Sequence, residues 1–121
     1  MQELTGERVL MRIHISESDR YEGDPLSERI LSLIRERRYA GTTMFRGAMS
    51  FGANGKIHSD RVEVLALDLP LVIECVEMED KIRAILPEID KMIGGGLITL
   101  ERANVIVYRS GDDGRETPDG R

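Results

Sequence analysis

Aromatic side chains are scarce in this chain, which has no tryptophan, two phenylalanines and three tyrosines in 121 residues. A base-stacking platform for single-stranded nucleic acid needs more exposed rings than that. Cysteine occurs once, as Cys75, which excludes an intrachain disulfide framework and makes a reducing cytoplasm the expected compartment. A surplus of positive charge is missing too, because 17 Lys and Arg stand against 22 Asp and Glu, a net charge of −5. General nucleic-acid binding is therefore not expected. No window approaches the roughly 18 uncharged apolar residues of a membrane span. The opening MQELTGERVL lacks the basic-then-apolar layout of an export signal. No repeat recurs at a solenoid period.

What is present is alternation. In RVLMRIHI, Val9, Met11, Ile13 and Ile15 fall on one face of a strand, with Arg12 and His14 on the other. SESDRYEG is turn chemistry. Asp24 then stands at a helix N-cap position with Pro25 as first helical residue. Leu26, Ile30, Leu33 and Ile34 form the stripe of an amphipathic helix. Arg35, Arg37 and Arg38 complement the dipole at its last turn, and Gly41 is the expected stop.

TTMFRG resumes a β-favouring run, and RVEVLAL reads as another short strand. Asp68-Leu69-Pro70 is a break, since proline cannot donate into a central ladder. LVIECVE is apolar on nearly both faces, as in a strand covered on both sides. Ile82, Ile85, Leu86, Ile89, Met92 and Ile93 make a second helical stripe, in which Pro87 predicts a kink or two short pieces. Gly94 to Gly96 end it. LITLE and NVIVYR read as two further extended runs.

Strand–helix–strand, taken twice, predicts an α+β class: a ferredoxin-like βαββαβ sandwich with an antiparallel sheet and an extra short C-terminal strand. Residues 1–109 form one domain, and the apolar-free 110–121 read as a disordered tail. Both helices then cover one sheet face. The strands are too apolar to leave the other in water, so the chain is expected to assemble through it.

The segment FRGAMSFGANGKIHSD, Phe45 to Asp60, suits neither strand nor helix core. Its glycines let backbone N–H groups turn toward an anion, with Arg46, Lys56 and Arg61 as countercharge. No Gly-Lys-Ser/Thr follows, so it is not a P-loop. A hairpin loop whose glycines serve flexibility alone is the plainer alternative.

Other candidates are weaker. A metal site would have to gather His14 and His58 with carboxylates such as Asp60 or Glu74. His58-Ser59-Asp60 are consecutive and cannot make a catalytic triad. Cys75 in the most apolar strand reads as a small inert hydrophobe. Glu74 needs a cationic partner, Arg12 or Arg109.

The stretches ERVLMRIHISESDRYEGDPLSERIL, GTTMFRGAMSFGANGKIHSD, LALDLPLVIECVE and ILPEIDKMIGGGLITLERANVIVYR resemble a family of uncharacterised bacterial and archaeal PII-like proteins, known only as a domain of unknown function. The resemblance spans about Glu7 to Arg109, and Ser50 stands where relatives often carry glycine. It implies a homotrimer of ferredoxin-like subunits whose long loop after the second strand meets a partner protein. It also implies small anionic effectors, typically adenine nucleotides, in the clefts between subunits. The modified tyrosine segment and basic glycine-rich second loop of true PII proteins are lacking, so a nitrogen role does not carry over. Relatives are often encoded beside a small membrane channel, which makes a membrane protein the analogous client.

The reading that follows is a non-enzymatic, cytoplasmic PII-like signalling protein with no cofactor. Its ligand-binding set is Arg46, Gly47, Phe51, Gly52, Lys56, His58 and Ser59, and residues 47–60 engage a partner. The alternatives are a metal-responsive binding protein and an enzyme acting in the inter-subunit cleft, such as a phosphate-ester hydrolase.

Overall fold

The computed structural model describes residues 4–47 and 68–109, together with the strand positions 50–51 and 57–58 of the connection between them. Four long strands carry the fold: β1 (Gly6–Ser16), β4 (Thr42–Arg46), β7 (Pro70–Glu77) and β8 (Leu97–Val105). They form one antiparallel sheet in the order β4-β7-β1-β8. With α1 (Leu26–Glu36) after β1 and α2 (Glu79–Met92) after β7, this is the strand order of a ferredoxin-like βαββαβ sandwich. Two-residue ribbons decorate it, β2 (Arg20–Tyr21) with β3 (Asp24–Pro25) and β5 (Ser50–Phe51) with β6 (Ile57–His58).

The alternation in β1 does what the pattern predicts. Val9, Met11, Ile13 and Ile15 are buried, as are Leu71, Ile73 and Cys75 of β7. Leu26, Ile30, Leu33 and Ile34 of α1 and Ile82, Ile85 and Ile89 of α2 join them in a single core. Both helices therefore lie on the same face. Among the described residues nothing covers the opposite face, which presents Leu10, Arg12 and His14 of β1 beside Val72, Glu74 and Val76 of β7, all half-buried.

Several local expectations are corrected. Asp24 does not cap α1. Pro25 holds the cap position without a side-chain bond, while the Asp24 carboxylate accepts from Arg29 at 3.1 Å. Asp24 is instead paired with Tyr21 across a two-residue turn, Glu22-Gly23, in which both φ angles are positive. Gly23 supplies that conformation, and it matches the twist of a tight ribbon.

Gly41 is not the stop of α1. The helix ends at Glu36, with Arg37 as cap and Arg38 in the left-handed conformation at φ 60. Arg38 N–H donates to Arg35 O and Tyr39 N–H to Ile34 O, the paired bonds of a Schellman motif. α2 runs unbroken through Pro87, so the alternative of two short pieces does not hold. LITLE and NVIV are not separate strands. β8 runs from Leu97 to Val105, and 106–109 are in no strand, so the extra short C-terminal strand is absent among the described residues. RVEVLAL and the tail 110–121 lie outside them.

Candidate functional site

The sites proposed from sequence lie on the connection between β4 and β7, and the structure shows how its two feet are held. β4 ends with Arg46, and the Gly47 N–H donates to Pro70 O at 2.7 Å. A Cβ on Gly47 would stand 2.9 Å from Pro70 Cγ, so any side chain here would force the proline ring to shift. The turn after β1 buttresses the same point. Glu17 N–H donates to Leu69 O at 2.8 Å, and the Ser18 hydroxyl donates to Asp68 Oδ1 at 3.0 Å.

Arg46 does not point into an empty cleft. Its Nη2 lies 2.6 Å from Glu17 Oε2, with the side chain 59% exposed. An anion at Arg46 would have to displace that carboxylate or share the guanidinium with it. Phe51 and His58 belong to the β5–β6 ribbon, where Phe51 pairs with Ile57 and His58 with Ser50. Gly52, Lys56 and Ser59 lie outside the described residues, as do Asp60 and Arg61. Among the described residues, Arg46 and Gly47 stand together at the foot of the connection, and Phe51 and His58 lie on its ribbon. Glu17, which the sequence reading missed, is part of the foot. Its signal was slight, one acidic residue among the turn-forming SESD.

The uncovered sheet face carries a charged cluster in apolar surroundings. Arg12 Nε donates to Glu74 Oε2 at 2.7 Å and Nη1 to Glu101 Oε1 at 2.9 Å. This settles the partner of Glu74, since Arg12 faces it directly across β1 and β7. Hydrogen bonding to Glu74 first, then the Glu101 charge, raises the Arg12 pKa further above its ordinary value. At the rim of this face, Thr43, Glu74, Val76, Val105 and Tyr108 line a cavity of about 280 Å3.

Leu4, Ala40 and Tyr108 separate that cavity from one of about 180 Å3, lined also by Arg38, Tyr39, Glu77 and Lys81. Glu77 is 2% exposed and is the one buried charged side chain among the described residues. It accepts from Ala40 N–H at 2.7 Å and from Met78 N–H at 3.2 Å. Burial pushes up the pKa of the Tyr39 phenol, which donates to Lys81 O. The sequence held the signal for Glu77: it is next in phase after Leu71, Ile73 and Cys75, so a period of two places it on the core side. Arg46 and Gly47 line neither cavity.

Burial likewise pushes the Cys75 thiol up to about 11, the state of an inert core cysteine. Among the described residues no three or more His, Cys, Asp or Glu are grouped to hold a metal ion, and no helix is long and apolar enough to cross a membrane. His14 sits on the uncovered face between Val72 and Leu97.

Comparison with known proteins finds a family model and curated relatives that match most of the chain. A family model described as "Uncharacterized ACR", DUF190, matches residues 8–105. A "UPF0166 protein" of Aquifex aeolicus is 37% identical over 99 residues, covering 82% of this chain and 93% of that protein. A second from the same organism is 33% identical, covering 80% and 95%. One from the archaeon Methanocaldococcus jannaschii is 29% identical, covering 79% and 89%.

Proposed function

The chain belongs to the DUF190 family of uncharacterised proteins, and from that premise we propose that it is a PII-like regulatory trimer rather than an enzyme. In this reading a small anionic effector, an adenine nucleotide, binds in the clefts between subunits, and the 47–60 connection engages a protein partner, a membrane protein being the analogous client. The cytoplasm is the compartment that fits a single buried cysteine.

One observation carries the proposal, namely the helix-free sheet face. Phe45 is 50% and Leu97 55% exposed on it, and Leu10, Val72 and Val76 lie between them. Apolar area of this kind marks an interface. Joining such faces turns the rim cavity beside Thr43 and Val105 into a cleft between subunits. The pinned feet at Glu17–Arg46 and Gly47–Pro70 supply the rigid frame that a recognition loop needs. An effector that binds one arrangement of the connection shifts the population toward it in proportion to its differential affinity.

Two measurements test this. Sedimentation equilibrium should give three times the chain mass at micromolar concentration. Calorimetry against ATP, ADP, AMP and cyclic nucleotides should show saturable binding to at least one. A monomer at all concentrations removes the clefts. A trimer that ignores every nucleotide at millimolar concentration removes that effector class.

A further inference from the structure

Arg38 occupies the position after the helix cap that most favours glycine, in the left-handed conformation that disfavours any side chain. Glycine would satisfy the motif at less conformational cost, and the arginine sets an exposed cationic side chain at this end of the helix. Among the described residues no carboxylate pairs with it. The neighbouring cation is also under-used. Lys81 Nζ lies 3.7 Å from Glu77 Oε2, beyond hydrogen-bond distance, and rests 4.9 Å from the centre of the Tyr39 ring. Its ammonium donates no hydrogen bond to the described residues. Both residues line the cavity of about 180 Å3, whose buried carboxylate is Glu77. That volume equals the share of about six water molecules in the liquid.

We propose that this cavity binds a small organic anion carrying its own hydrogen-bond donor, a hydroxy- or amino-carboxylate. The ligand carboxylate takes the unfilled donors of Arg38 and Lys81. The ligand hydroxyl or ammonium group donates to Glu77, whose oxygens retain lone pairs beyond those used by Ala40 and Met78. A bare anion is selected against, because it would meet the Glu77 charge with nothing to donate. The site lies within one subunit and goes beyond the reading above, standing whether or not the chain assembles.

The test is titration of the full-length chain, labelled with nitrogen-15, using L-lactate, glycine and acetate as probes. The reporters are the Ala40 and Met78 amides that bond to Glu77. Saturable shifts of both with lactate or glycine, at least tenfold weaker with acetate, support the proposal. Arg38→Gly keeps the left-handed backbone and so should fold. It should weaken the response tenfold or more, and Lys81→Met likewise. No saturable shift with either donor-bearing probe, an equal response to acetate, or an undiminished response in Arg38→Gly would overturn it.

Discussion

Glu77 and Cys75 are neighbours in phase on the same strand face, and their energetics are opposite. Glu77 remains buried because two backbone amides and a nearby ammonium compensate it. Glu77→Ala orphans the Ala40 and Met78 N–H groups, at about 1–3 kcal/mol for each one left unsatisfied. We expect a total loss of about 2–6 kcal/mol in urea unfolding; a loss below about 0.5 kcal/mol would mean that water replaces the carboxylate. Cys75 is neutral, and its pKa is raised from 9.0 to about 11. Since the folded value lies above the unfolded one, the native state holds the proton longer. Its contribution is full below pH 9 and is lost as pH climbs toward 11, up to about 3 kcal/mol at 1.36 per unit. Thermal midpoints for wild type and Cys75→Ala measured from pH 8 to 11 should diverge in slope over that window. Native Cys75 should react with a thiol reagent only as fast as the chain unfolds.

At the scale of elements, the order and faces of β1, α1, β7 and α2 were legible because each is long enough for its period to show. The ends were not. Asp24 looked like a cap, but a two-residue turn at Glu22-Gly23 claims it for a ribbon and Arg29 claims its carboxylate. Gly41 looked like a stop, but the chain tolerates Arg38 in the left-handed position three residues earlier. β8 was read as two strands because Arg102 and Ala103 interrupt the apolar pattern. They pair with Val9 and Arg8 without a break, since backbone bonds need no apolar side chain. The candidate site was legible only as a segment, because Glu17 and the Asp68–Ser18 bond lie far from Arg46 in sequence. Gly96 shows why one of the three glycines after α2 is indispensable. Its φ is 145, and a Cβ there would stand 2.5 Å from His14 O. Gly96→Ala should cost about 3 kcal/mol from strained backbone and clash, whereas Gly94→Ala and Gly95→Ala, with open space around them, should cost under about 1 kcal/mol. Equal urea midpoints for all three would refute the distinction.

For the whole molecule, the question is how an apolar face can carry Arg12, Glu74 and Glu101 at its centre. Within this cluster one cation serves two carboxylates, and the next cation in phase on the same face of β1 is Arg8, beyond Leu10. In a monomer this is harmless, because Arg12 and Glu101 still reach water, at 34% and 55% side-chain exposure. In the proposed assembly the second carboxylate of this cluster is repeated in each subunit and loses its solvent, so it would oppose the joining of the apolar faces. Two substitutions should therefore act in opposite directions. Leu10→Asp places another carboxylate opposite Glu101. It should cost the folded monomer about 1–2 kcal/mol, through lost apolar contact at a half-buried position and like charge across the strands, while abolishing assembly. Glu101→Gln keeps an acceptor for Arg12 and removes one of the two carboxylate charges that share it. It should tighten assembly about tenfold, which corresponds to about 1.4 kcal/mol. Sedimentation equilibrium on folded variants, checked by circular dichroism, decides between them. If Leu10→Asp assembles as well as wild type, or Glu101→Gln weakens the assembly, the helix-free face is not the surface through which the copies meet.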